Sequence, residues 1–135
     1  HSAPAAVTLD ARGVAGTLAG LDRLRERAFA VRDPRLLQQV YVAGPLLLQD
    51  TALLTRLVPE GCRLVGVHTT YDQVQVTVRA AAGARTQFAV RAKLAESLLV
   101  CGGTATGRAA GSGPTILHIE LIRHGPSYLI AGIKR

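Results

Sequence analysis

The spacing of apolar residues changes once along this chain, near Cys62, from a helical period to the period of a β-strand. Before this point, apolar residues recur on one helix face at Val14, Leu18, Leu21, Ala28 and Phe29. After it, apolar and polar residues alternate, most regularly over 74–79 and 117–121. Helices followed by half-buried strands are typical of an α+β domain, in which helices cover one face of a sheet.

Three helices are predicted in the helical part of the chain, over 14–31, 34–39 and 51–58. Asp33 precedes a proline and is expected to cap the second helix, because its side-chain oxygen can accept an otherwise unpaired backbone N–H. Asp50 is expected to cap the third helix in the same way. The predicted fold class is therefore α+β, with three N-terminal helices packed on a curved, mainly antiparallel sheet.

The strands are predicted to connect through turns and one long loop. Gly83 marks a turn between two alternating stretches. The glycine-rich segment 102–113 lacks the ending of a phosphate-binding loop, and it is predicted to be a long, flexible hairpin loop. We expect a disordered lead or tag remnant over 1–12 and a single domain over 13–135.

Composition limits the kinds of protein that this chain can be. Its 135 residues fit one domain with a proper core, and a hydrophobic fraction of 48% excludes disorder for most of the length. No apolar run approaches the ~18 residues of a membrane span, so no membrane insertion by this segment is expected. The chain contains no methionine, which predicts a processed protein or a domain of a longer one.

Two segments, 21–34 and 40–45, carry a resemblance to a known family. The order of elements resembles the nuclear-transport-factor-2-like superfamily, a cystatin-like α+β cone, over about residues 13–135. The two segments are similar to uncharacterised cone domains of actinobacterial membrane-anchored proteins, which tend to have serine where this chain has Pro45. The resemblance implies a cone fold on the extracytoplasmic side of a bacterial membrane, behind an anchor helix. It implies no activity.

Arg25 places a charge in the apolar stripe of the first helix, between Leu21 and Phe29. A charge that faces a domain interior must be paired or solvated, since burying it alone is very costly. One interpretation places Arg25 on a pocket floor, held by Asp22 and able to bind an anionic ligand. The other is a structural pair with Asp22 that supports packing at the helix edge. Tyr41 is expected at the mouth of the same pocket.

An enzyme would need a carboxylate base beside Tyr41, whose hydroxyl could then donate to an oxyanion. The nearby candidates are Asp22, Asp50 and Asp72. Asp50 is better explained as a helix cap and Asp72 as part of a turn. No inward carboxylate is predicted on the strands, so the sequence favours a domain without enzymatic activity and indicates no catalytic residue.

No cofactor or metal site is predicted from the histidines. His68, His118 and His124 are far apart, and no pair has the spacing of metal ligands.

Cys62 and Cys101 could form a disulfide bond in an extracytoplasmic protein. A simple hairpin order would separate their sulfur atoms by about 20 Å, which is well beyond the reach of a disulfide. Free, buried thiols are therefore favoured, although a different strand order would allow the bond.

The polar face of the sheet is a second candidate interaction surface. It is predicted to carry Arg79, Arg91, Lys93, His118 and Glu120. The net charge of +7 could attract an acidic partner or nucleic acid. Nucleic acid is disfavoured, because no exposed aromatic side chain is evident on this face. A solvated face or a homodimer interface are the remaining interpretations.

Together with the resemblance, these features predict a non-enzymatic interaction or assembly domain of a bacterial envelope protein. The partner would be a protein or a second copy of the chain. The alternative is a small-ligand-binding or isomerase-like enzyme that uses the pocket near Tyr41 and Arg25. A filled interior would favour the first function, and an open cavity with Tyr41 beside a carboxylate would favour the second.

Overall fold

The computed structural model describes residues 9–79 and 85–135. The first helix, α1 (Ala11–Val31), begins after Asp10, whose side chain accepts a 2.7 Å hydrogen bond from the backbone N–H of Gly13. α1 thus begins slightly earlier than predicted, and it includes the last residues of the predicted lead. The first eight residues of that lead and the turn predicted at Gly83 lie outside the described residues.

A 3-10 helix (Pro34–Gln39) follows α1, and Asp33 caps it as predicted. The next helix, α2 (Pro45–Leu57), begins directly after Gly44. The prediction that Asp50 caps this helix is wrong, because Asp50 lies inside α2. Pro45 suits the first helical position, since its φ is already helical and its missing N–H would have no partner there.

Within the described residues, the second part of the chain forms β1 (Cys62–Val65), β2 (Thr69–Arg79), β3 (Arg85–Leu94), β4 (Ser97–Cys101), β5 (Thr104–Ala109), β6 (Ser112–His124) and β7 (Ser127–Lys134). All pairings between these strands are antiparallel. One sheet has the order β1-β4-β5, and the other has the order β2-β3-β6-β7. The long loop predicted over 102–113 is instead a tight turn followed by β5.

The predicted packing of three helices on a single sheet is wrong. Two α-helices and one short 3-10 helix accompany two separate sheets in the described part of the chain. Between β1 and β2 the chain passes from one sheet to the other, at a point where Gly66 adopts a φ of 88° that side chains disfavour. β1 then pairs with β4 rather than with β2, so that a second, smaller sheet forms.

Cys62 and Cys101 form a disulfide bond, so the preference for free thiols is wrong. β1 and β4 are direct neighbours, and their register places Cys62 opposite Cys101, with Cα atoms 4.2 Å apart. The predicted hairpin order had separated the two cysteines because it placed β1 beside β2. The bond joins an edge strand of the small sheet to its central strand.

The core contains side chains of α1, α2 and the 3-10 helix together with side chains of the four-stranded sheet. Its largest fully buried members are Phe29, Phe88, Leu18, Leu37, Leu54, Ile119 and Leu121. Beside this core, the segment 40–42 lies along the edge of β7. Hydrogen bonds join Ile130 to Val40 and to Val42, and they fix the position of Tyr41 between them.

Among the described helices, none combines the length and the apolarity needed to cross a membrane.

Candidate functional site

A cavity of about 240 Å³ lies between α1 and the inner face of the four-stranded sheet. Arg25, Asp22 and Tyr41, which were predicted to share one pocket, all line it, together with Tyr71 and Ile133. The volume is below the roughly 300–1,000 Å³ of most small-molecule sites. The cavity therefore suits a side chain or a short segment better than a large cofactor.

Arg25 is held by Asp50 of α2 rather than by the predicted Asp22. Its Nε donates to Asp50 Oδ2 at 2.6 Å, and its Nη2 donates to Oδ1 at 2.8 Å. The Asp50 side chain is only 9% exposed, and that of Arg25 is 19% exposed. The guanidinium also lies over the ring of Phe29, 5.0 Å from its centroid. This bidentate pair fixes the guanidinium in one orientation and connects α1 to α2.

Tyr41 completes the cluster, because its hydroxyl donates to Asp50 Oδ2 at 2.9 Å. Burial raises the pKa of the Tyr41 phenol, and the negative charge of Asp50 adds to this rise although Arg25 opposes it. Burial alone would lower the pKa of Arg25, but the hydrogen bonds and the charge of Asp50 outweigh it and raise that pKa. Arg25 therefore stays charged and Tyr41 stays protonated at neutral pH.

Asp22 makes a separate set of contacts on the other side of the cavity. Its Oδ1 accepts the backbone N–H of Thr69 at 3.0 Å, and its Oδ2 lies 2.5 Å from His68 Nδ1. The residue is 4% exposed. Asp22 thus connects α1 to the beginning of β2, and both of its oxygen atoms already have partners.

These contacts decide what chemistry the cavity can support. Among the described residues that line it, Asp22 supplies the single side-chain carboxylate. Each oxygen of Asp22 has one hydrogen-bond partner, and Asp50 accepts three hydrogen bonds, so both carboxylates are held in fixed orientations. Tyr41 donates its hydroxyl proton to Asp50 Oδ2. The polar side chains around the cavity are therefore oriented by contacts within the chain.

The state of Tyr41 can be tested through the pH dependence of stability. Because its pKa is raised in the folded chain, Tyr41 stabilises the fold below the unfolded pKa of about 10, and this contribution is lost as the pH rises further. We expect the unfolding free energy of the unsubstituted chain to fall more steeply above pH 10 than that of Tyr41→Phe, by up to about 1.4 kcal/mol per pH unit. Urea denaturation at several alkaline pH values measures both slopes, and equal slopes would contradict the assignment.

The candidate residues of the polar sheet face lie on β2, β3 and β6. Arg91, Lys93, His118 and Glu120 all lie on the outer face of the four-stranded sheet, where they alternate with inward residues. Arg79 ends β2, and its side chain is outside the described part of the structure.

Two of these outer-face charges are already paired across strands. Arg91 makes two 2.7 Å hydrogen bonds to Asp72, and these bonds lower the pKa of Asp72. Glu120 accepts a 2.8 Å hydrogen bond from Gln87, and its Oε2 lies 3.5 Å from Arg85 Nε. The charges of Arg91 and Glu120 are therefore balanced within the chain, which weakens their attraction to a charged partner.

The sequence did not reveal the partners that organise the cavity. Asp50 lies at helical spacing from Leu47 and Leu54, a pattern that places an acid on the apolar face of α2. That pattern could have indicated a buried ion pair. The contact between His68 and Asp22 had no local signal, because it depends on where β2 begins relative to α1.

Comparisons with known proteins identify the fold. No protein-family model matches the chain, and no curated protein matches its sequence. Among solved structures, the chain is similar to the crystal structure of the intermembrane space region of chloroplast protein ARC6. The TM-score is 0.66 at 15% sequence identity, and the match covers 95% of this chain and 97% of the other. This likeness shows that the two domains share an α+β fold over nearly their full length.

Proposed function

We propose that this domain is a non-enzymatic interaction module of a bacterial envelope protein, and that its cavity accepts a side chain or a short segment of a protein partner. The observation that carries this proposal is a cavity beside which contacts within the chain hold the polar side chains in fixed positions. Asp50 accepts hydrogen bonds from Arg25 and Tyr41, while Asp22 is bonded to His68 and Thr69. The cavity between them remains available for binding.

The chemistry of the cavity wall supports a partner group with both apolar and polar parts. Leu21 and Ile133 supply apolar surface, while the rings of Tyr41 and Tyr71 add broad amphipathic contacts. Arg25 uses Nε and Nη2 for Asp50, so its Nη1 can donate to a polar atom of the partner. An extended segment with one apolar anchor and one acceptor group would match these features.

Two observations support a location outside the cytoplasm. The disulfide between Cys62 and Cys101 is of the kind that forms and persists in oxidising compartments. The similar ARC6 region lies in an intermembrane space, so the shared fold is used there in an envelope compartment. The extracytoplasmic side of an actinobacterial membrane, behind an anchor helix in the parent protein, is the location that we propose.

Site-specific photocrosslinking tests the docking function. A benzoylphenylalanine introduced at Ser112, an exposed residue beside the cavity, is expected to crosslink one protein of the native host envelope. The same probe at Thr104, an exposed residue of the small sheet, is the matched control and is expected not to capture that protein. A Thr115→Trp substitution that fills the cavity should abolish copurification of the partner, whereas Thr104→Trp should not. Equal capture from both positions would contradict the proposal.

The runner-up function is a small-ligand binder or isomerase-like enzyme that uses the same cavity. The open cavity favours this function, and so does the 2.9 Å hydrogen bond from Tyr41 to the Asp50 carboxylate. Asp50 is not among the described residues that line the cavity, which counts against it as a base for a bound substrate. Native mass spectrometry of the domain purified from its host separates the two functions. A bound compound of low molecular mass that Thr115→Trp releases would favour the small-ligand function over partner docking.

A further inference from the structure

We propose that Asp22, Glu26 and His68 form a binding site for one Zn²⁺ ion beside the cavity. This site is independent of the docking function. One ligand atom from each of the three side chains lies within 4.8 Å of the other two. Imidazole nitrogen and carboxylate oxygen atoms are ordinary zinc ligands, and three protein ligands leave a fourth position for water.

The geometry is close to that of a three-ligand site. His68 Nδ1 lies 2.5 Å from Asp22 Oδ2 and 3.9 Å from Glu26 Oε2. In a tetrahedral site with metal–ligand bonds of about 2.0–2.1 Å, the ligand atoms are about 3.3 Å apart. The first distance must therefore lengthen by about 0.8 Å and the second must shorten by about 0.6 Å. Glu26 and His68 can make these shifts by side-chain rotation, because their side chains are 39% and 52% exposed.

The backbone holds the three ligands in register before any ion binds. Asp22 and Glu26 are one helical turn apart, so α1 presents both on the same face. Two hydrogen bonds fix the backbone at His68. The His68 carbonyl accepts one from the N–H of Ala95 at 2.9 Å. The N–H of the next residue, Thr69, donates the other to Asp22 Oδ1 at 3.0 Å. The bond from Thr69 also orients the carboxylate, as partners of ligating groups do in metal sites.

The charges of the cluster favour a divalent cation. Asp22 and Glu26 bring two carboxylates together, and Arg25, which lies between them in sequence, directs its guanidinium at Asp50. A Zn²⁺ ion would take the place of the hydrogen bond between Asp22 and His68, and its charge would balance both acids. The imidazole selects zinc over magnesium and calcium, which prefer all-oxygen ligands.

Calorimetric titration of the full chain with Zn²⁺, after removal of metal by a chelator, tests the site. We expect one ion per chain, and no competition from excess Mg²⁺ or Ca²⁺. Glu26→Gln and His68→Gln should each weaken binding by about tenfold or more, since each removes a direct ligand. His118→Gln removes an exposed histidine from the opposite sheet face and should leave the affinity unchanged.

Side-chain NMR of the histidines shows where the ion binds, even if a variant changes stability. Zinc should shift the imidazole signals of His68 and leave those of His118 and His124 in place. The proposal fails if no zinc binds, if His68→Gln retains the affinity of the unsubstituted chain, or if the shifts occur at another histidine.

Discussion

Asp50→Asn is expected to lower the unfolding free energy by about 3–5 kcal/mol, because it leaves the buried guanidinium of Arg25 without a counter-charge. Arg25 loses its bidentate partner, and the Tyr41 hydroxyl loses an ionised acceptor. For a chain of this length, the thermal midpoint should fall by about 10–20 °C. Differential scanning calorimetry at neutral pH measures both quantities.

The chain offers a matched control for this variant. Asp72 makes the same bidentate contact with Arg91, at 2.7 Å for both bonds, but the two side chains are 46% and 42% exposed. Solvent screens an exposed pair, so Asp72→Asn should leave the thermal midpoint almost unchanged. A large loss in both variants would show that the cost comes from the amide rather than from burial.

A triple variant tests whether the instability of Asp50→Asn comes from an unpaired buried charge. Replacing the cluster with apolar residues, in the triple variant Arg25→Met, Tyr41→Phe and Asp50→Leu, removes every member that could be left unpaired. Buried ion clusters replaced in this way are often neutral or stabilising. We therefore expect the triple variant to recover most of the stability that Asp50→Asn loses, and no recovery would contradict our account of the cluster.

The elements of the first part of the chain were predicted well because their signals are local. Apolar spacing indicated α1, and Asp33 before a proline marked the 3-10 helix. Asp50 misled the prediction because an acid near a helix start is usually a cap. Whether a carboxylate caps a helix or pairs with a distant arginine depends on tertiary contacts that a local pattern does not contain.

The sheet arrangement was predicted poorly, because strand order is not encoded in alternation. Alternation identified several strands. Their order was then predicted on the assumption that strands adjacent in sequence pair with each other. The pairing of β1 with β4 is non-local, and it decides both the second sheet and the meeting of Cys62 with Cys101. Gly66 was the local sign of a break between β1 and β2, since its φ is positive.

The candidate site was predicted in part. Arg25, Asp22 and Tyr41 do line one cavity, as a single charge in an apolar stripe indicated. Their partners were missed, because Asp50 and His68 come from elements whose positions depend on packing. Those partners hold the acids beside the cavity in fixed orientations, which the local sequence pattern did not indicate.

Reduction of the disulfide is the second change with a large expected effect. Cys62 and Cys101 are 39 residues apart, so the bond closes a long loop that the unfolded chain would otherwise sample freely. In the chain-entropy model, a loop of this length contributes about 4 kcal/mol of stability at 25 °C. We expect a reducing agent to lower the thermal midpoint by about 10–15 °C.

The double variant Cys62→Ala/Cys101→Ala is the control for this experiment, since these are the two cysteines of the chain. It should unfold near the midpoint of the reduced chain, and a reducing agent should not lower that midpoint further. If the reducing agent left the thermal midpoint of the unsubstituted chain unchanged, the bond would have no role in stability.

Hydrogen exchange shows where reduction acts first. The small sheet depends on this bond at one edge, so the amides of β1 should lose protection on reduction before those of β3 and β6 in the larger sheet.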